Sequence, residues 1–475
     1  MKSKISRKTF QSRLDEMVLR LRQDIANARY APGSYLPAES ALAEQFHLSN
    51  KSVRKGLEQL AEEGLIHKIN RVGNRVAEPI GQRKTIVTMG CPSIIERDLE
   101  MARLIADFQE QYPWIEVRTV TYAAESSAAS SSFDKMARSY LENGLMDVMV
   151  LNNSQFQEMV EADAVNLFEP LPINGEMYPF VMSPFTDNGE MYVQPVAFSP
   201  IILCYNRQHF REGGLLEPDS SWTWSDVLQI SDRISKPEDR YGLYFHLLSE
   251  NRWPIFLLQS AANADASADT NANASSPDHE WLNGARVVQE ITQNRRIYPG
   301  YITESRDDVN TLFLQGKVSM IMSSYFSMNE FKQASIDYDI SPLPYLDRPA
   351  TLLIILGMAI SRSSKNKEAA KLLTSYLASH RAQQQLRDMT LSIPVVKTIA
   401  EQRPSSAAGN ELNRPAHEAM FRELFPTFRL HKHLQLTVAE QHALRNLLKR
   451  FWSGIIDEKM LIDEFTQLQQ SFTPQ

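Results

Sequence analysis

Apolar positions near the start of the chain recur at helical spacing. Leu14, Met17, Val18, Leu21 and Ile25 form one stripe, which predicts a helix over residues 7–28. Tyr30-Ala31-Pro32-Gly33-Ser34 breaks it as a turn. Leu36-Pro37 then opens a short second helix, since a proline costs nothing in a first turn where its N–H would be unpaired anyway. Leu42, Ala43 and Phe46 give that helix its buried side. His47-Leu48 makes a tight turn, and Ser49 is a good N-cap for a third helix over residues 50–63. Val53, Leu57 and Leu60 line its inner face, and Gly64 stops it. Residues 65–69 and 74–77 read as two short strands around a turn at Arg71-Val72-Gly73.

The pattern then changes. Residues 78–84, with Pro79 and Gly81, read as a linker between residues 1–77 and 85–475. Strands at 85–89, 116–122 and 146–151 alternate with helices at 99–112 and 136–143, the first of these with Leu104, Ile105 and Phe108 inward. Such alternation predicts an α/β domain with a largely parallel sheet. Residues 261–277 are almost all Ala, Asn, Asp, Ser and Thr and read as a flexible surface insert.

A length of 475 residues suggests two or three domains, and 43% hydrophobic with 23% charged residues is ordinary for a globular chain. No apolar run approaches the roughly 20 residues of a membrane helix. The charged start carries no apolar core of the signal-peptide kind, so the expected location is cytoplasmic, with no membrane partner. Two distant cysteines, Cys91 and Cys204, exclude a multi-disulfide scaffold or a four-cysteine zinc site and are expected as reduced thiols. Charge is unevenly spread. Residues 1–84 hold 16 Lys+Arg against 9 Asp+Glu, whereas the rest of the chain is strongly acidic. That split suits a polyanion-binding module on an acidic body.

Two short helices joined by a tight turn, preceded by a longer helix and followed by a hairpin, describe a winged helix-turn-helix. The N-terminal half of its third helix clusters Asn50, Lys51, Ser52, Arg54 and Lys55. Arg54 can pair two hydrogen bonds with guanine and Asn50 with adenine, while Lys51 and Lys55 suit phosphates. Arg71 and Arg75 on the hairpin could reach an adjacent groove or the backbone. The stretch Pro32-Gly33-Ser34-Tyr35-Leu36-Pro37-Ala38-Glu39-Ser40 resembles the Pro-Gly-x-x-Leu-Pro-Ser-Glu signature of the GntR family of bacterial regulators. Residues 42–49, 53–60, Glu63-Gly64-Leu65-Ile66 and Val72-Gly73-Asn74-Arg75-Val76 resemble that family's next helix and turn, recognition helix and wing. The resemblance implies DNA binding and adds Ser40, Ser49 and Gly73 to the DNA-facing positions. Departures are Ser40 and Asn50 where basic residues are usual, Gly56 for alanine, and Arg71 for a wing glycine. Arg54 is the family contact that is retained.

Four ordered landmarks lie in residues 85–475: 194–207 with its Tyr205-Asn206 turn, Trp222-Thr223-Trp224-Ser225-Asp226, residues 313–321, and Gly357-Met358-Ala359 followed by residues 364–370 and Ile393-Pro394. Together they resemble family 1, sugar-type extracellular solute-binding proteins. The implied fold is multidomain: an α+β winged helix-turn-helix followed by a two-lobed α/β domain of the type 2 periplasmic-binding-protein kind. The lobes would comprise about 85–194 with 351–390, and about 199–343 with 394–475. Ligands of such folds sit at the carboxyl ends of strands. Candidates there are Cys91 and Ser93, Asn152 and Asn153, Ser199, and Tyr325 with Phe326, while Trp253 matches a family aromatic position. Aromatic plates with amides suit sugar rings. The family often has an acidic residue at the position of Ser199 and an aromatic at Asn152.

No Gly-x-Ser-x-Gly, phosphate loop or helical His-x-x-x-His pair is present, so neither catalysis nor a metal or other cofactor is expected. His431 and His433 lie in a charged stretch and are expected at the surface. The expectation is a homodimeric regulator of sugar-uptake genes that binds operator DNA and a saccharide effector. The alternatives are a sensor of a peptide, polyamine or phosphorylated metabolite, and a transport-associated binding protein.

Overall fold

The computed structural model describes residues 10–26, 29–30, 33–69, 72–77, 84–122, 133–236, 239–260, 281–299, 306–402 and 412–472. The insert at 261–277 and Arg71 lie outside these. The head comprises α1 (Phe10–Ala26), α2 (Glu39–Gln45), α3 (Asn50–Glu62), β1 (Ile66–Ile69) and β2 (Gly73–Val76). The apolar stripe of α1 is buried with Leu42, Val53, Leu57, Leu60, Ile66 and Val76 in one small core, with Ile25 at its edge. Ser49 caps α3 as expected, its hydroxyl accepting from the Ser52 N–H at 3.2 Å. The strands β1 and β2 pair antiparallel, Ile66 opposite Val76.

Gly56 is where α1 meets α3. A Cβ at this position would stand 2.4 Å from Met17 Cε and 2.9 Å from Val18 Cγ2. Glycine costs a helix interior about 1 kcal/mol relative to alanine. Here the bare backbone lets the two helices approach, which gives the departure at Gly56 a packing reason.

The second, two-lobed domain begins with β3 (Thr85–Pro92), α4 (Ile95–Leu99), α5 (Met101–Gln111), β4 (Ile115–Tyr122), α6 (Phe133–Glu142), β5 (Val148–Asn152) and α7 (Asn153–Glu161). Where one helix was expected over 99–112, Glu100 sits in the left-handed region (φ 51°, ψ 45°) and divides α4 from α5. Next come α8 (Pro179–Met182), the small hairpin β6 (Thr186–Asp187) and β7 (Glu190–Met191), and the long strand β8 (Val193–Asn206). The chain continues through α9 (Arg207–Gly213), α10 (Trp224–Ile234), β9 (Tyr241–Tyr244), α11 (Trp253–Ser260), α12 (Leu282–Gln293), α13 (Arg306–Leu314), β10 (Val318–Ser324) and β11 (Tyr338–Ser341). It returns by β12 (Thr351–Ile360), α14 (Lys367–Leu377), α15 (His380–Met389), β13 (Ile393–Pro394) and α16 (Lys397–Ala400), and ends with β14 (Phe428–Arg429), α17 (Val438–Trp452) and α18 (Glu458–Phe472).

The main sheet runs β4-β3-β5-β12-β8-β10-β9. It is mixed rather than largely parallel. Strands β3, β4 and β5 are parallel, but β12 lies antiparallel to both β5 and β8, and β10 antiparallel to β8. The cause is the crossing of the chain between two lobes. The first half of β8 pairs with β12, Pro200 opposite Leu353, and its second half pairs with β10 and β11, Ile201 opposite Ser324. All 14 residues of β8 are buried. The register between β12 and β8 shifts at Leu356/Gly357, where a Cβ on Gly357 would come within 2.6 Å of Val193 and 2.8 Å of the Gln194 carbonyl oxygen. One buried cluster lies between the first-lobe sheet and α5, α14 and α15. A larger one covers the opposite face and continues into the second lobe. Among the described residues no helix is long and apolar enough to cross a membrane.

Candidate functional site

On the head, Asn50, Lys51, Arg54 and Lys55 are exposed along the first two turns of α3, and Ser40 is exposed on α2. Glu58, Gln59 and Glu62 occupy exposed positions further along α3, so its face runs from basic to acidic. A helix start also favours anions through its free N–H groups. Arg54 keeps 64% of its side chain exposed while its Nε donates to Glu39 Oε2 at 2.7 Å. That carboxylate holds the Arg54 pKa above its ordinary value. Two of the expected positions are occupied internally. Ser52 is buried, its hydroxyl 2.6 Å from that of Ser49. Arg75 donates from Nε to the Gly33 carbonyl at 2.8 Å and ties the wing to the turn before α2. Gly73 is exposed at the tip of β2 with φ 141°.

In the two-lobed domain, the structure brings Ser199, Tyr325 and Phe326 together where β8 crosses between the lobes. The Ser199 hydroxyl accepts from the Tyr325 N–H at 2.7 Å and donates to the Pro200 carbonyl. The buried Tyr325 hydroxyl donates to the Glu418 carbonyl at 2.8 Å, and burial pushes its pKa well up. Phe326 packs on the other side, in the first-lobe cluster with Val196, Ala197 and Leu356. Asn153 is buried and accepts from the Ile355 N–H at 2.8 Å, joining α7 to β12. Asn152 caps α7, in a reciprocal pair with Gln155. Cys91 is buried at the end of β3, where burial raises its thiol pKa, and Ser93 just beyond is exposed. Trp253 starts α11 in the second lobe with only 2% of its surface exposed, and its indole N–H has no hydrogen-bond partner among the described residues.

A group of charged residues that sequence reasoning missed joins the lobes where the ends of β3 and β10 face each other. Arg97 of α4 donates to Asp98 Oδ1 at 2.7 Å and pairs with Glu330, which follows β10. Burial alone would lower the Arg97 pKa, but the Asp98 and Glu330 carboxylates hold it above the ordinary value. Asn310 donates to the other Glu330 oxygen at 2.8 Å. Lys332 pairs with Glu100, the residue with the left-handed backbone. The amide of Asn329 donates to the Ser392 hydroxyl at 2.9 Å and accepts from the Leu391 N–H. The usable signal was position: Arg97 and Glu330 each lie a few residues past the carboxyl end of a sheet strand.

The expectation for His431 is corrected. It is buried, its Nε2 2.9 Å from the Glu250 carbonyl oxygen, and burial lowers its pKa. The packing of its turn against α11 outweighs the charged neighbours that suggested a surface position. Among the described residues no cluster of His, Cys, Asp or Glu could hold a metal ion.

Comparison with known proteins accounts for both parts. Residues 103–413 match the family model for bacterial extracellular solute-binding proteins, and residues 14–76 match that for bacterial regulatory proteins of the gntR family. A galactooligosaccharide-binding protein of Bacillus subtilis is 25% identical over 315 residues, 64% of this chain and 69% of that one. The galactonate operon transcriptional repressor of Escherichia coli is 28% identical over 152 residues, 32% of this chain and 62% of the repressor. The chain spans about half the length, 48%, of binding proteins from Brucella that it matches at 24% identity over 202 residues. Among solved structures, a maltose-bound MalE3 of T. maritima superposes with a TM-score of 0.68 at 16% identity, over 82% of this chain and 100% of that one. The chain belongs to the family of bacterial extracellular solute-binding proteins and carries, ahead of that domain, a helix-turn-helix domain of the gntR family.

Proposed function

We propose that this protein is a cytoplasmic, ligand-responsive transcription regulator that binds operator DNA through its head and a saccharide through its two-lobed domain. One observation carries the reading: a recognition helix with Asn50, Lys51, Arg54 and Lys55 exposed at its leading end stands on the same chain as a hinged solute-binding domain. A repressor among the relatives of the head and an oligosaccharide-binding protein among those of the sensor support the coupling. The chemistry is binding rather than catalysis.

The mechanism follows from linkage. A ligand biases closure only as far as it contacts the closed arrangement better than the open one. In a homodimer on two half-sites about 34 Å apart, closure changes operator affinity by changing how the two heads are presented. The saccharide would be recognised where the strand ends of the two lobes meet, with Cys91, Ser93, Asn152, Asn153, Ser199, Trp253, Tyr325 and Phe326 as the candidate lining.

The test is an electrophoretic mobility shift of the full chain on the DNA upstream of its own gene, with and without maltose and galacto-oligosaccharides. Retention of duplex that changes with one of these sugars supports the reading. Retention that no saccharide changes, but a peptide or polyamine does, removes the sugar. No retention at low salt removes the regulator.

A further inference from the structure

The head does not hang free of the sensor. Helix α1 packs on α5 of the first lobe, and the contact centres on Arg22. Its guanidinium is paired twice with Glu63, the C-cap of α3: Nε to Oε2 at 3.0 Å and Nη2 to Oε1 at 2.6 Å. Gln59 donates to the same carboxylate at 3.1 Å. On its other side the guanidinium lies over the ring of Tyr112, 4.9 Å from the centroid. Tyr112 is the C-cap of α5 and is itself supported by Phe108 and Trp114, with ring centroids at 4.7 and 5.6 Å.

Burial is what makes this contact informative. The Arg22 and Glu63 side chains keep only 6% and 8% of their surface. Taking two charges out of water is costly unless geometry and further hydrogen bonds compensate. Both partners belong to the head, yet a first-lobe ring covers the cation, an arrangement favoured by the ring quadrupole. Beside the contact runs a groove of about 630 Å³. Glu62 and Glu63 of the head stand on one wall and Lys365, Lys367, Glu368 and Lys371 of the first lobe on the other, with Glu63 paired to Arg22 and Lys367 to Glu169.

We propose that Arg22, aligned by Glu63 and seated on Tyr112, fastens the head to the first lobe so that the two move as one body. The hinge in β8 then acts between that body and the second lobe. Resting on the regulator reading, the consequence is that a saccharide reaches DNA by repositioning the second lobe, not by turning the head on its own sensor.

Spin labels on the full chain test the docking. Cysteines replace the exposed residues Glu44 of the head and Glu110 of the first lobe, and the native Cys91 and Cys204 are buried. Wild-type background is expected to give one narrow Glu44–Glu110 distance distribution. Tyr112→Leu, which keeps an apolar side chain but removes the ring, is expected to broaden it at least twofold. Glu63→Gln, which leaves the lobe surface untouched, is expected to do the same. A broad distribution in the wild-type background, or a narrow one retained by either variant, would overturn the proposal. The measurement uses neither operator nor sugar, so loss of DNA binding and loss of docking are read separately.

Discussion

The Glu39 carboxylate at the start of α2 holds the Arg54 guanidinium of α3 by its Nε, at 2.7 Å. The two remaining nitrogens of the guanidinium lie at an exposed position, and such a pair of nitrogens is the fork an arginine can offer to O6 and N7 of guanine. Arg54→Ala is therefore expected to lower specific operator binding roughly 10- to 100-fold, with little loss on unrelated duplex. Lys51→Ala should weaken all sequences alike and reduce the slope of log affinity against log salt by about 1. Titrations at several salt concentrations on specific and random duplex separate these outcomes, and equal losses for both variants on both duplexes would sink the assignment.

Gly56 offers a packing test. Alanine there gains helix propensity of about 1 kcal/mol but must displace the buried Met17 and Val18 side chains. Overpacking typically costs about 1–3 kcal/mol, so Gly56→Ala is expected to destabilise the head by about 1 kcal/mol net. Thermal unfolding followed by circular dichroism reads the sign, and a raised melting temperature contradicts it.

Asp107 predicts a pH dependence. The Arg381 guanidinium bonded to its carboxylate, aided by the Tyr376 hydroxyl and opposed by burial, holds its pKa at about 2. A carboxylate with a depressed folded pKa stabilises above its unfolded value of about 3.9 and loses that contribution as pH falls toward 2. Solvent screening of the half-exposed Arg381 limits the contribution to about 1 kcal/mol. Asp107→Asn should thus lower stability at pH 7 and leave it nearly unchanged at pH 2. Denaturant melts at the two pH values check this, and an equal loss at both would contradict it.

Lys332 and Glu100 clasp the two lobes. Such a partly exposed pair contributes about 0.5–1 kcal/mol. Lys332→Met is expected to raise the open fraction roughly two- to fivefold without ligand, since each 1.4 kcal/mol is a factor of ten in population. Small-angle scattering should report a larger radius of gyration than the wild type. An unchanged radius in 1 M salt as well as in low salt would remove the clasp.

The head was almost fully legible. The stripe of Leu14, Met17, Val18 and Leu21, the Ser49 cap and Gly64 are local signals, and they mark α1, α3 and the strands within a few residues. The alternation of β3, α5, β4, α6 and β5 was legible for the same reason. What local pattern does not encode is pairing over long separations. Nothing near Thr351 indicates that β12 runs against both β5 and β8, and the mixed sheet follows from that. The break at Glu100 was hidden because the apolar spacing runs through it, and its left-handed backbone is rare for a glutamate. The cleft candidates followed from strand ends, but the sequence did not reveal that Ser199, Asn153 and Tyr325 bond to one another's neighbourhood. The pair Arg97 and Glu330 lies 233 residues apart in the chain.

Strand β8 gives its first half to β12 and its second half to β10 and β11. Neither lobe is therefore a continuous stretch of polypeptide, and no single scission would release one intact. The head is different, because one junction detaches it. A gene fusion at that junction could graft a new reader onto an old receptor in one event. Any transplanted reader would still need a cation to set on Tyr112, so graft partners should be sorted by that requirement before their base preferences matter.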